Sequence, residues 1–171
     1  MSLHCAKDAL LRYLFCYGVW AGALFALIFF EGFSPFHFIN ELQTLLTIRL
    51  TNLWIDAFNI PVHMFDEKMI FEHGLELLIA NSCNGMTPIL LFVAGALSYP
   101  TDYQSKIVWI LSGYVALTSI NMLRIYLITL WVIENPQSFD FTHDFVGRYV
   151  VGTITLLLFY LFTQRVKVVY V

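Results

Sequence analysis

Between Ile107 and Ile133 the chain runs for 27 residues with a single charge, Arg124. At about 1.5 Å per residue, a helix of that length reaches roughly 40 Å, more than the ~30 Å hydrocarbon core of a bilayer. Composition decides what kind of chain this is. Hydrophobic residues make up 59 % and charged residues 12 %, against about 45–50 % and about 25 % in a soluble domain. The chain is expected to be a membrane protein. A net charge of −3 supplies no basic surface for nucleic acid.

Three further apolar segments accompany this one, giving spans at about 13–30, 84–99, 107–133 and 145–163. The first follows Lys7 and Arg12 and continues past Ala21-Gly22-Ala23, so it is expected to be an uncleaved signal-anchor. Lys7, Arg12, Lys106, Arg165 and Lys167 all flank spans on one side. Four helices with both termini cytoplasmic satisfy that distribution. The segment 31–83 and the loop 134–144 then face away from the cytoplasm. Within 40–58, Leu42, Leu45, Leu46, Leu50, Leu53, Trp54 and Phe58 recur at helical spacing, with Glu41, Gln43, Arg49, Asn52 and Asp56 between them. This pattern predicts an amphipathic helix lying in the outer interface. Asn59-Ile60-Pro61 ends it. Two β-prone runs, Met69-Ile70-Phe71 and Leu77-Leu78-Ile79, predict a short hairpin ahead of Cys83. The expected fold is an all-α integral membrane protein: one domain, 1–171, about four spans, an interfacial helix and the hairpin.

The chemistry-bearing stretch is Asn81-Ser82-Cys83-Asn84-Gly85-Met86-Thr87-Pro88. Ser82, Asn84 or Thr87 can cap a helix, and Pro88 suits a first helical turn. Cys83 then sits at a helix N-terminus, where oriented N–H groups favour a thiolate. Cys5 and Cys16 lie far from it in sequence, and three cysteines without short spacing do not form a disulfide framework. Counting rise per residue from the cytoplasmic ends of their helices, Cys83, Arg124 and His143 lie roughly 25, 27 and 33 Å up. A thiol, a guanidinium and an imidazole thus come from three helices to one boundary. An arginine inside an apolar run costs at least about 2.5–3.5 kcal/mol to insert, which marks Arg124 as a functional candidate. The plainer readings are an arginine snorkelling to headgroups, a loop histidine and a structural cysteine. His63, His73 and Cys83, with His37 near, are spaced too widely for a compact metal motif, so no metal or cofactor is expected.

Three motifs carry a resemblance: Cys83-Asn84-Gly85, Asn121-Met122-Leu123-Arg124 and His143-Asp144-Phe145-Val146-Gly147. With Asn59-Ile60-Pro61-Val62 upstream, they match in order and spacing over roughly 41–165. The chain resembles the exosortase/archaeosortase family of membrane-embedded cysteine transpeptidases. It departs at Asn84, where the family usually has serine, which puts the placement of the thiol in question. The resemblance implies catalytic Cys83, Arg124 and His143, supported by Asn81, Ser82, Asn84, Gly85, Asn121, Asp144 and Gly147. It implies a substrate that is an exported protein ending in a short PEP-CTERM-like motif, one transmembrane helix and a basic cluster. Cys83 would form a thioester, His143 would act as base and then acid, and Arg124 would stabilise the oxyanion or favour the thiolate. The acyl group would pass to an envelope glycan or lipid acceptor, or to water, on the extracytoplasmic side of a bacterial inner membrane. Other classes stay open: a non-enzymatic membrane subunit, or a cysteine acyltransferase acting on a lipid-linked substrate. A substrate helix entering from the membrane needs a groove, which Gly85, Gly95, Gly113, Gly147 and Gly152 could open.

Overall fold

A computed structural model describes residues 3–30, 35–72, 74, 76–79, 83–139, 141 and 145–169. Helix α1 (Leu3–Phe29) is followed by a 3₁₀ turn, Pro35–His37, and α2 (Phe38–Ala57). Strands β1 (Val62–Phe65), β2 (Lys68–Phe71) and β3 (Glu76–Leu78) form one antiparallel sheet in the order β1-β2-β3. Then come α3 (Met86–Ser98), α4 (Tyr103–Glu134), a 3₁₀ turn at Pro136–Ser138, and a π-helical segment, Phe145–Val150, that runs into α5 (Val151–Arg165).

The four apolar helices make a bundle. α1 packs along α3, and α3 packs against α4 and α5. Its centre is Ile89, Phe92, Ala96, Leu117 and Phe162, with the Phe92 and Phe162 rings edge to face at 6.4 Å. Gly113 belongs to this packing: a Cβ there would run into the Phe92 ring, so the glycine is its seat. It does not line a groove, as its sequence position suggested. Outside, Phe15, Val19, Leu111, Val115, Leu156 and Tyr160 are exposed. An apolar surface this extensive is made for lipid. Trp20 is part of it.

Four helices therefore stand where four spans were expected, but they are not equal. Asp8–Phe29 and Tyr103–Glu134 are each long and apolar enough to cross a membrane, whereas Met86–Ser98 is a shorter apolar helix. Its 13 residues rise only about 20 Å. Just before it, Cys83 to Gly85 is irregular backbone, held at Asn84 by side chains of α2.

At one end of the bundle the positive charges gather. Asp102 caps α4 by accepting the Ser105 N–H at 2.8 Å, which holds its carboxyl below the ordinary range. Lys106 donates to the Leu97 carbonyl at 2.7 Å. Thr101 donates to the Lys167 carbonyl, and Tyr13 of α1 lies against Tyr99. The turn between α3 and α4, the tail after α5 and the start of α1 thus share one end.

At the other end, the last third of α4 rises beyond α3 and carries the sheet. Met69, Phe71, Val62 and Ile79 turn inward onto Ile125, Ile128 and Val132. Val62 pairs with Phe71 and Met69 with Leu77, so β2 presents Met69 and Phe71 to α4 and turns Lys68 outward. The hairpin of β2 and β3 is the expected one. β1 is an addition: its two-residue turn is Asp66-Glu67, with Asp66 at φ +57°, and lacks the Asn-Gly or Asp-Gly signal that marks such turns.

The amphipathic helix is present, but its polar side is the inner one. Asn40, Gln43, Thr44, Thr47, Thr51 and Ile55 are buried, while Leu42, Leu45 and Leu53 face out. Nor does α2 lie flat across the end of the bundle. Gln43 bonds Tyr114, and Trp54 packs on Tyr126 with ring centroids 5.6 Å apart. Eleven residues of α2 thus keep pace with twelve of α4, so the two helices climb side by side.

Candidate active site

Cys83 stands at the junction of bundle and sheet. Helix α3 starts at Met86, after Gly85 in the left-handed region (φ +77°). A Cβ on Gly85 would lie 2.8 Å from Asn121 Cγ, so only glycine allows α4 to come this close. That approach makes the site. Asn121 Nδ2 donates to the Cys83 carbonyl at 2.9 Å, and its Oδ1 accepts from an Arg124 terminal nitrogen at 3.3 Å. Asn121 is therefore the link that fixes the cysteine backbone to the arginine.

Both chemical groups are sheltered. Cys83 and Arg124 are each 8 % exposed. Together with Met69, Ile79, Ile128 and Phe139 they line a chamber of about 20 Å³, room for about one water-sized group. Among the described residues Arg124 Nε has no hydrogen-bond partner, and no carboxylate pairs with the guanidinium. A buried cation without a counter-charge is costly to keep, and such groups concentrate where a reaction needs them. Arg124 also lines a second, larger cavity on the bundle side, so it stands between the two spaces.

Asn84, the departure from the family motif, proves to be an anchor. It is 1 % exposed. Its Nδ2 donates to Asn40 Oδ1 at 2.7 Å and Thr44 Oγ1 at 2.9 Å, and its Oδ1 accepts the Met86 N–H at 2.9 Å. Its carbonyl accepts from Gln43 Nε2 at 3.1 Å, and Gln43 Oε1 accepts the Tyr114 hydroxyl at 2.8 Å. So the cap expected of the motif comes from Asn84, one residue outside the N-cap position. An amide serves where a hydroxyl could not: its two ends reach α2 and the start of α3 at once. Asn84→Ala would leave Asn40 and the Met86 N–H without their buried partner. The loss should be about 2 kcal/mol, or roughly 4–8 °C in melting temperature for a chain of this size, measured on the detergent-solubilised protein.

The polar stripe of α2 was the functional feature hidden from sequence reasoning. Its signal is Asn40, Gln43, Thr44, Thr47 and Thr51 at helical spacing, opposite the leucines. Of the expected site residues, Cys83, Asn84, Gly85, Asn121 and Arg124 come together. Gly147 falls in the π-helical segment. Asn81, Ser82, His143 and Asp144 lie outside the described residues, as does His73.

No curated protein and no solved structure matches the chain. The family described as transmembrane exosortase does, over residues 7–160. A bundle with a lipid-facing exterior, and a cysteine tied to a buried arginine through Asn121, lie within that matched stretch. The chain belongs to the transmembrane exosortase family.

Proposed function

We propose that this exosortase is a cysteine transpeptidase that cleaves the C-terminal sorting signal of exported proteins and transfers the product to an envelope acceptor. The single observation that carries the reading is the Cys83–Asn121–Arg124 link, whose cysteine and arginine line a chamber that fits one small group. Cys83 Sγ attacks the carbonyl carbon of the scissile peptide bond, and His143 takes the thiol proton. The oxygen becomes an oxyanion, which the Arg124 guanidinium stabilises. Collapse breaks the C–N bond, His143 returns the proton to the leaving amine, and a thioester remains on Cys83. An acceptor amine, or water, then attacks the thioester and releases the thiol. The role of His143 is drawn from its motif with Gly147. The acceptor is an envelope glycan or lipid, and no cofactor takes part.

The distribution of charge supports the setting. Lys106 and Lys167 share the end of the bundle opposite Cys83, a distribution that supports cytoplasmic termini and a thiol on the far face of a bacterial inner membrane. The test is capture of the intermediate. Membranes deprived of acceptor should accumulate a hydroxylamine-sensitive adduct on Cys83 whose acyl group is a peptide C-terminus. A lipid acyl group in its place would make the protein an acyltransferase, and no adduct at all would favour a binding subunit.

A further inference from the structure

The larger cavity beneath Arg124 is a groove of about 770 Å³ sunk into the bundle. α1 packs along α3, and α5 packs on α3 and α4, but α1 and α5 meet chiefly where Tyr13 stacks on Phe159 at 6.3 Å. The gap between them opens the groove sideways toward lipid. Its wall is low at Gly152, Thr87 and Thr155: a Cβ on Gly152 would meet nothing within 4 Å, whereas Gly85 and Gly95, which also line it, seat Asn121 and Phe159. At its head stands Arg124, with Nε unpartnered among the described residues.

We infer that this groove seats the upper half of a single apolar α-helix, the membrane anchor of the substrate, entering between α1 and α5. The inference rests on the proposed peptide chemistry and gives it a docking site. From Gly85 to Gly95 the groove extends about 15 Å along α3. Its mean section is then about 50 Å², roughly half that of a helix 10–12 Å across, which leaves the other half against lipid. Glycine and threonine walls let a second helix backbone come close, which is how helices associate in a membrane. An acyl chain has no backbone to bring near and makes no use of that wall. Tyr13, Tyr99 and Phe159 close the lower end, with centroids 6.3–6.5 Å apart. About ten residues fit above this floor, and the residues just before them rise past Arg124 toward Cys83.

The test is a photocrosslinking residue at Leu156, on the groove wall, in Cys83→Ala membranes of the native host. The adduct should map to the first ten residues of a C-terminal apolar helix of an exported protein. Gly152→Leu fills the groove and should cut that adduct at least tenfold, as should Leu14→Trp from the α1 side. Thr153→Leu, one residue on and outside the groove, should leave it intact. Adducts confined to phospholipid or to a second copy of this chain overturn the inference, as does an adduct indifferent to Gly152→Leu. If processing of such proteins continues in the Cys83→Ala strain, the cysteine mechanism fails instead, whatever the crosslink maps to.

Discussion

Cys83→Ala should insert and accumulate like the parent protein and process none of the host's exported proteins that end in an apolar helix and a basic cluster. The substitution removes one sulfur from the edge of an apolar cluster formed by Ile79, Met122 and Ile125, a small change in packing. What is lost is the atom proposed to carry the acyl group. Removing a nucleophile outright typically lowers turnover by on the order of 10⁴-fold or more, so uncleaved precursor should be the sole species on an immunoblot. Cleavage within tenfold of the parent rate would exclude covalent chemistry at this thiol.

Arg124→Gln should be the second most damaging change, and it should dissociate activity from stability. The guanidinium contacts Asn121 Oδ1 and faces both the cysteine chamber and the groove. If it stabilises an oxyanion, its loss should slow processing by about 10²–10³-fold. The folded protein should not suffer, because a buried charge with no carboxylate partner among the described residues is no asset to folding. The melting temperature in detergent should hold or rise. Arg124→Lys should fail to rescue, since a single ammonium cannot hold Asn121 and still aim further N–H groups at a substrate oxygen. Normal processing by Arg124→Gln would reduce the arginine to a structural role. A collapse in melting temperature would do the same.

These two residues were visible in the chain from the start, and for different reasons. A lone charge in a 27-residue apolar run is improbable without a use. A cysteine just before a capping residue and Thr-Pro announces a helix start. Counting rise per residue was enough to bring the two to a common level, because spans through one bilayer share a length scale. That Asn121 would join them was not visible. Its amide donates to a backbone carbonyl on another element, and no pattern along the chain encodes such a pairing.

The lipid environment explains what else escaped. In a soluble protein an apolar stripe points inward, so the leucines of 40–58 would give the buried face. Here Leu42, Leu45 and Leu53 face out, and the unmarked Asn40, Gln43, Thr44 and Thr47 turn in to hold Asn84. Glycines are ambiguous for a related reason. Gly152 and Gly113 look alike in sequence, yet one opens a groove and the other seats Phe92.

The sequence by itself determined that the chain is a bundle of apolar helices, where its charges gather, and that Cys83 and Arg124 belong to one level. These follow from the length and polarity of segments, quantities that solvent and lipid read one residue at a time. Only the tertiary structure decided which face of α2 is inside, that Gly85 admits Asn121 to the cysteine backbone, and that α1 and α5 stand apart over a groove. Those depend on contacts between distant segments, where a hydrogen bond or a void exists only once both partners are in place.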